Sequence, residues 1–231
     1  MEKIDSLNEN GVWVAKSSDD IQRLVEEMAC PVPPRGKGPD GRKSEDVERY
    51  SMAVLLGAIA SYRLIPPFEV RTGERPDFVI KSNYEEIGIE HTEVVDPKEA
   101  EAVALKNSKK HKSNIESGPA FSDGDGECAF CDPGEGYAGN GVERRWVDEI
   151  AKRVARKRDS AQKDGFCMYD KNWLMVYFNI LLPSVAYGIA SEMLRERLSS
   201  DGVFSVFCSV YVVDEQAVCE IFEDGFRVFM R

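Results

Sequence analysis

Residues 174–182 (LMVYFNILL) carry one amide side chain and no charge. Nine residues is a strand's length, and an apolar run without alternation suits a strand covered on both faces. A strand with one wet face would alternate apolar and polar residues instead. The chain must therefore build a sheet with packing layers on each side, which places it among the α/β folds.

The flanking segments supply those layers. Ser44 followed by EDVERYSMAVLLGAIASYRL reads as a capped helix with acidic residues in its first turn and Val47, Met52, Leu55, Leu56 and Ile59 at helical spacing. A second helix is expected from Val142 to about Lys163. Trp146, Ile150, Val154 and Ala161 mark its buried stripe, and Lys157 falls on that stripe. Between these helices lie three strand patterns, at 68–71 (FEVR), 77–81 (DFVIK) and 87–95 (IGIEHTEVV), separated by turns. In the third, Ile87, Ile89, His91 and Glu93 face one way and Gly88, Glu90, Thr92 and Val94 the other. A helix is expected near 186–198, then strand patterns at 203–213, 217–222 and 226–229, with Gly225 in the last turn. The order predicts a mixed β-sheet flanked by helices.

Residues 1–43 read as an N-terminal extension and 44–231 as the main domain. The extension holds a short strand at 12–14 and a helix capped by Ser18 or Asp19, then a proline- and glycine-rich loop at 30–43. A long insertion at about 96–141 ends in a run dense in glycine, aspartate and proline, the composition of a functional or mobile loop. Extra strands close the chain.

The chemistry concentrates between Glu69 and Glu93. Asp77 follows Pro76 at the start of one strand, and Glu90 sits mid-strand in the next. Antiparallel strands joined by a short turn can bring the two carboxylates together on one face, a hard-oxygen site for Mg²⁺ or Mn²⁺. Such an ion activates water and neutralises charge developing on a phosphate. The bland alternatives are that Asp77 ends a turn and that Glu90 forms a structural ion pair with Arg71 or Arg75. By alternation His91 and Glu93 point away from Glu90, so His91 reads as a surface or satisfied core histidine.

On Pro76-Asp77, Glu90 and the surrounding order of elements, roughly residues 44–182 resemble the PD-(D/E)xK, restriction-endonuclease-like nucleases. The resemblance implies an αβββαβ core and a metal-dependent phosphodiester hydrolase acting on DNA, ahead of RNA. It implies metal ligation by Asp77, Glu90 and the peptide carbonyl of His91, with Glu48 on the preceding helix as a further acid and Glu45 as its substitute. The family's lysine, two residues after the acid, is here Thr92, which can hydrogen-bond but carries no charge. Some branches supply that lysine from the following helix, and Lys157 is the candidate, with Lys152 second. Many enzymes of this resemblance cut two strands as dimers, so a homodimer is an expectation. The alternative is a chain that kept the fold and lost the chemistry, a protein- or nucleic-acid-binding module.

Composition narrows the partners. The net charge of −11 argues against wholesale non-specific nucleic-acid binding. Local basic stretches at 106–112 (KNSKKHK) and 144–158 leave room for phosphate contacts, though the first suits a solvated helix face as well. No run of about 18 apolar residues suggests a membrane span, and no secretory leader pattern opens the chain, so a cytoplasmic protein with reduced cysteines is expected. Cys208 and Cys219 read as small buried hydrophobes. Cys128 and Cys131 form half a zinc site, for which His111 is the sensible third ligand. Zinc there is the weaker expectation, and the bland reading is two loop thiols. No P-loop, G-x-S-x-G or H-E-x-x-H motif occurs.

Overall fold

Eight strands form one sheet in chain order: β1 (Val12–Ala15), β2 (Phe68–Thr72), β3 (Phe78–Ser82), β4 (Glu86–Val95), β5 (Lys171–Asn179), β6 (Ser209–Val213), β7 (Ala217–Phe222) and β8 (Gly225–Met230). A computed structural model describes residues 11–28, 44–96, 139–163 and 168–231. β1 to β4 pair antiparallel, β4 to β6 are parallel, and β6 to β8 are antiparallel again. Parallel neighbours need crossovers, and helices α3 (Gly141–Ala161) and α4 (Tyr187–Ser200) lie in the connections from β4 to β5 and from β5 to β6. The protein is thus α/β with a mixed sheet, and the order α2-βββ-α3-β runs from α2 (Ser44–Arg63) through β5.

Two apolar clusters form, one on each face. α1 (Ser18–Met28) and α2 cover one, packing Leu24, Met52, Leu55, Leu56 and Ile59 against Ile80, Ile89, Met175, Tyr177 and Tyr211. α3 and α4 cover the other, packing Trp146, Ile150, Val154, Ala190 and Leu194 against Leu174, Val176, Phe178, Val210 and Val212. β5 feeds both clusters with alternate residues, which is why its sequence does not alternate.

Several expectations shift. Residues 11–28 supply β1, which pairs with β2, and α1, which packs on α2, so this segment joins the same sheet and layer. Ser17, rather than Ser18 or Asp19, stands at the cap position before α1: its N–H and hydroxyl both donate to Asp20 Oδ2, at 2.8 and 2.9 Å. β5 starts at Lys171 and ends at Asn179, so Leu181 is exposed. The pattern at 203–213 splits into a short 3₁₀ turn at Val203–Ser205 and β6. Cys208 precedes β6 and is exposed, while Cys219 is buried. The last hairpin turns on Glu223 and Asp224, and Gly225 opens β8. None of the described helices is long and apolar enough to cross a membrane. The loop at 30–43, the lysine run at 106–112 with His111, and Cys128-x-x-Cys131 lie outside the described residues.

Candidate functional site

β3 starts at Phe78, whereas β4 continues to Val95. The antiparallel register pairs Phe78 with Ile89, so Asp77 lies opposite Glu90 and shares its face. Beyond Ile89 the β3-side edge of β4 has no strand partner in β3. The Asp77 carboxylate fills the gap, accepting the His91 N–H at 2.6 Å on Oδ2. A residue's N–H and C=O leave a strand on the same edge, so the His91 carbonyl lies on this edge too.

α3 brings the cation. Lys157 Nζ lies 2.8 Å from Glu90 Oε2 and 4.0 Å from Asp77 Oδ2. Its side chain is 28% exposed, against 12% for Glu90 and 20% for Asp77, so the three groups meet half-shielded from water. Glu90's ion-pair partner is therefore Lys157; Arg71 pairs with Glu69 at 2.6 Å, and Arg75 is exposed. Lys152 is exposed as well and pairs with Glu149 at 2.6 Å.

The remaining candidates sort by face. Thr92 is half-buried one rung beyond Glu90 on the same face. His91 is buried on the opposite face, and Glu93 accepts from Asn179 Nδ2 at 2.8 Å. Glu48 is half-buried on α2 and accepts from Ser44 Oγ at 2.8 Å, while Glu45 is exposed. Gly88, one rung before Glu90, has a local reason to lack a side chain. A Cβ there would lie 2.6 Å from Tyr169 Cδ2 and 3.2 Å from Pro76 Cγ. A glycine inside a strand pattern signals such close approach.

Burial pushes the Asp77 carboxyl up to about 6, and the charges of Glu90 and Glu48 push the same way. The His91 N–H and the Lys157 ammonium oppose this and favour the ionised form. Replacing Lys157 by methionine should therefore raise the Asp77 pKa above its present value near 6. Carbon-detected NMR titration of the Asp77 carboxyl would show it; an unchanged or lower pKa would remove Lys157 from the site's electrostatics.

Among the described residues no group of three or more His, Cys, Asp or Glu side chains is arranged to hold a metal ion. The local donors are two carboxylates and the carbonyl edge of His91. These are hard oxygens, and a cation between them would relieve the crowding of negative charge that raises Asp77. So sparse a set fits Mg²⁺ or Mn²⁺, which keep several waters or substrate oxygens, better than Ca²⁺, which takes six to eight ligands.

Arg153, within the basic stretch at 144–158, is half-buried one helical turn before Lys157 and neighbours it on the helix surface. No protein-family model matches the chain, and no curated protein does. Among solved structures, SfsA of Pyrococcus furiosus in complex with Ca²⁺ is similar at a TM-score of 0.24 and 12% identity. That match covers 80% of this chain and 60% of the other, and a likeness of this size carries no argument about function.

Proposed function

We propose that the chain is a metal-dependent phosphodiester hydrolase of the PD-(D/E)xK kind, acting on DNA ahead of RNA. One observation carries the reading: a lysine from the helix after the meander reaches the carboxylate opposite Asp77, replacing the cation that Thr92 cannot supply. Asp77, Glu90 and the His91 carbonyl would hold Mg²⁺ or Mn²⁺, and Glu48 adds negative charge behind Asp77. When bound, the ion would lower the pKa of a water and polarise the phosphoryl oxygens. Lys157 orients the attacking water through its hydrogen-bonding ammonium and offsets negative charge growing on the phosphate. Glu90, held by Lys157, keeps a second carboxylate oxygen for the metal. Thr92 offers a hydroxyl on the same face. A cytoplasmic setting and a homodimer that cuts two strands belong to the same reading.

Thr92 and the net charge of −11 favour a second reading, a module that retains the fold for binding. Thermal melting separates the two. An ion at a hundred times its dissociation constant adds about 2.7 kcal/mol to stability. Millimolar Mg²⁺ or Mn²⁺ should raise the wild-type melting temperature, and Glu90→Gln should abolish the rise. Supercoiled plasmid, single-stranded DNA and RNA then identify the substrate. No metal-dependent shift and no cleavage of any of the three would leave the binding module.

A further inference from the structure

We propose that Arg153 is a phosphate-binding residue, holding the nucleic-acid phosphate next to the one cut; the inference rests on the phosphodiesterase reading above. β4 and β5 are parallel and α3 lies in their connection, so α3 runs antiparallel to β4. Moving back one turn along α3, from Lys157 to Arg153, is a rise of about 6 Å. Moving on from Glu90 to Thr92 is about 6.6 Å in the same direction. Lys157 meets Glu90, so Arg153 stands level with Thr92, one rung farther along the floor of the site.

The helix wheel sets its direction. Arg153 lies about 40° round α3 from Lys157. It falls between the buried Val142 and Trp146 in angle, so it leans toward the sheet rather than into open water. α4 packs against the other flank of α3, where Arg158, about 100° round from Lys157, donates to the Asp201 carbonyl. The Lys157 side of α3 therefore overhangs β4 and the start of β3.

Arg153 is half-buried yet forms no ion pair among the described residues. Its natural intrahelical partner would be Glu149, four residues earlier, but Glu149 is taken by Lys152 at 2.6 Å. A charge drawn partly out of water is best paired, so a half-buried arginine one helical turn from the lysine that meets Glu90 is open to an anion. A polynucleotide supplies it. The two rungs lie about 6.6 Å apart, a span that neighbouring phosphates of one strand can bridge. A phosphate at Asp77, Glu90 and Lys157 places its neighbour at Arg153, and the guanidinium fork donates to two phosphate oxygens at once.

The test uses the full chain in EDTA, where cleavage is off, and a fluorescein-labelled DNA duplex of about 20 base pairs read by anisotropy. Arg153→Gln should weaken binding about tenfold and lower the slope of log K against log salt by about one. Arg153→Lys should recover most of both. With Mg²⁺ restored, Arg153→Gln should raise KM and spare kcat, and the metal-induced melting shift should stay as in wild type. Wild-type binding with Arg153→Gln unchanged in affinity and salt slope would overturn this inference and leave the hydrolase reading intact. A wild type that neither binds nor cuts, and shows no metal shift, would overturn both.

Discussion

Asp77→Asn should do two things of opposite sign: abolish cleavage and stabilise the fold at pH 8. The loss follows from removing one of two carboxylates in a sparse metal site, and at least a hundredfold, roughly, is expected. The gain follows from the position of Asp77. Its folded pKa is raised from 3.8 to about 6, chiefly by burial. Between those values the folded chain holds a proton that the unfolded chain has released. The stability due to this group is thus complete below about pH 4 and is lost as pH rises through about 6. Two pKa units correspond to about 3 kcal/mol. Asparagine cannot ionise, and its Oδ1 can still accept the His91 N–H, so the variant escapes that loss. Urea unfolding at pH 5 and pH 8 should show the variant gaining stability over wild type mainly at the higher pH. Mg²⁺ should narrow the difference at pH 8 by stabilising only the wild type. A variant no more stable than wild type at pH 8 would show that Asp77 is not a strained acid, and the case for a site held ready for a cation would fall with it.

That trade is a familiar property of functional carboxylates, which cost stability where they are held. Lys157 makes the complementary point. On a helix whose stripe otherwise reads Trp146, Ile150, Val154, a lysine is out of place unless something on the sheet needs it. The anomaly was legible in the sequence, and so was its partner, because Glu90 breaks an apolar strand in the same way. The backbone part was not legible. That β3 begins one residue after Asp77 and lets its carboxylate take the His91 N–H depends on where two strands part company, and a period-two pattern carries no such information. The same limit explains β1 and α1. Four residues of strand and eleven of helix look detachable in sequence, yet the edge of β2 and the outer face of α2 bury them. At 203–213 the run is mostly apolar, but Val203 and Phe207 are buried in the α3–α4 cluster from a 3₁₀ turn and the approach to β6. Hydrophobicity reports burial, and several backbone shapes can satisfy it.

One acid escaped a rule already applied to Glu90. Glu220 sits mid-strand in AVCEIF and has no solvent exposure. Its carboxylate accepts from Arg63 at the end of α2, from Arg227 on β8 at 3.0 Å and from the Tyr211 hydroxyl on β6 at 2.9 Å. Burial first, then the charge of Glu220, pushes the Tyr211 phenol above its ordinary pKa, so it stays a neutral donor. The arginine side chains are 31% and 40% exposed, so water reaches part of each, whereas the carboxylate has no such outlet. The effect of mutation should be asymmetric. Arg63→Met with Arg227→Met strands a buried charge and should cost about 3–5 kcal/mol. Adding Glu220→Leu should restore much of that, because the penalty lies in the unpaired carboxylate rather than in lost attraction. Urea unfolding of the four combinations, with the arginines treated as one unit, gives the coupling directly. If the triple variant is no more stable than the double, the cluster holds α2 to β7 and β8 by packing of the arginine stems, and the charge of Glu220 is incidental to it.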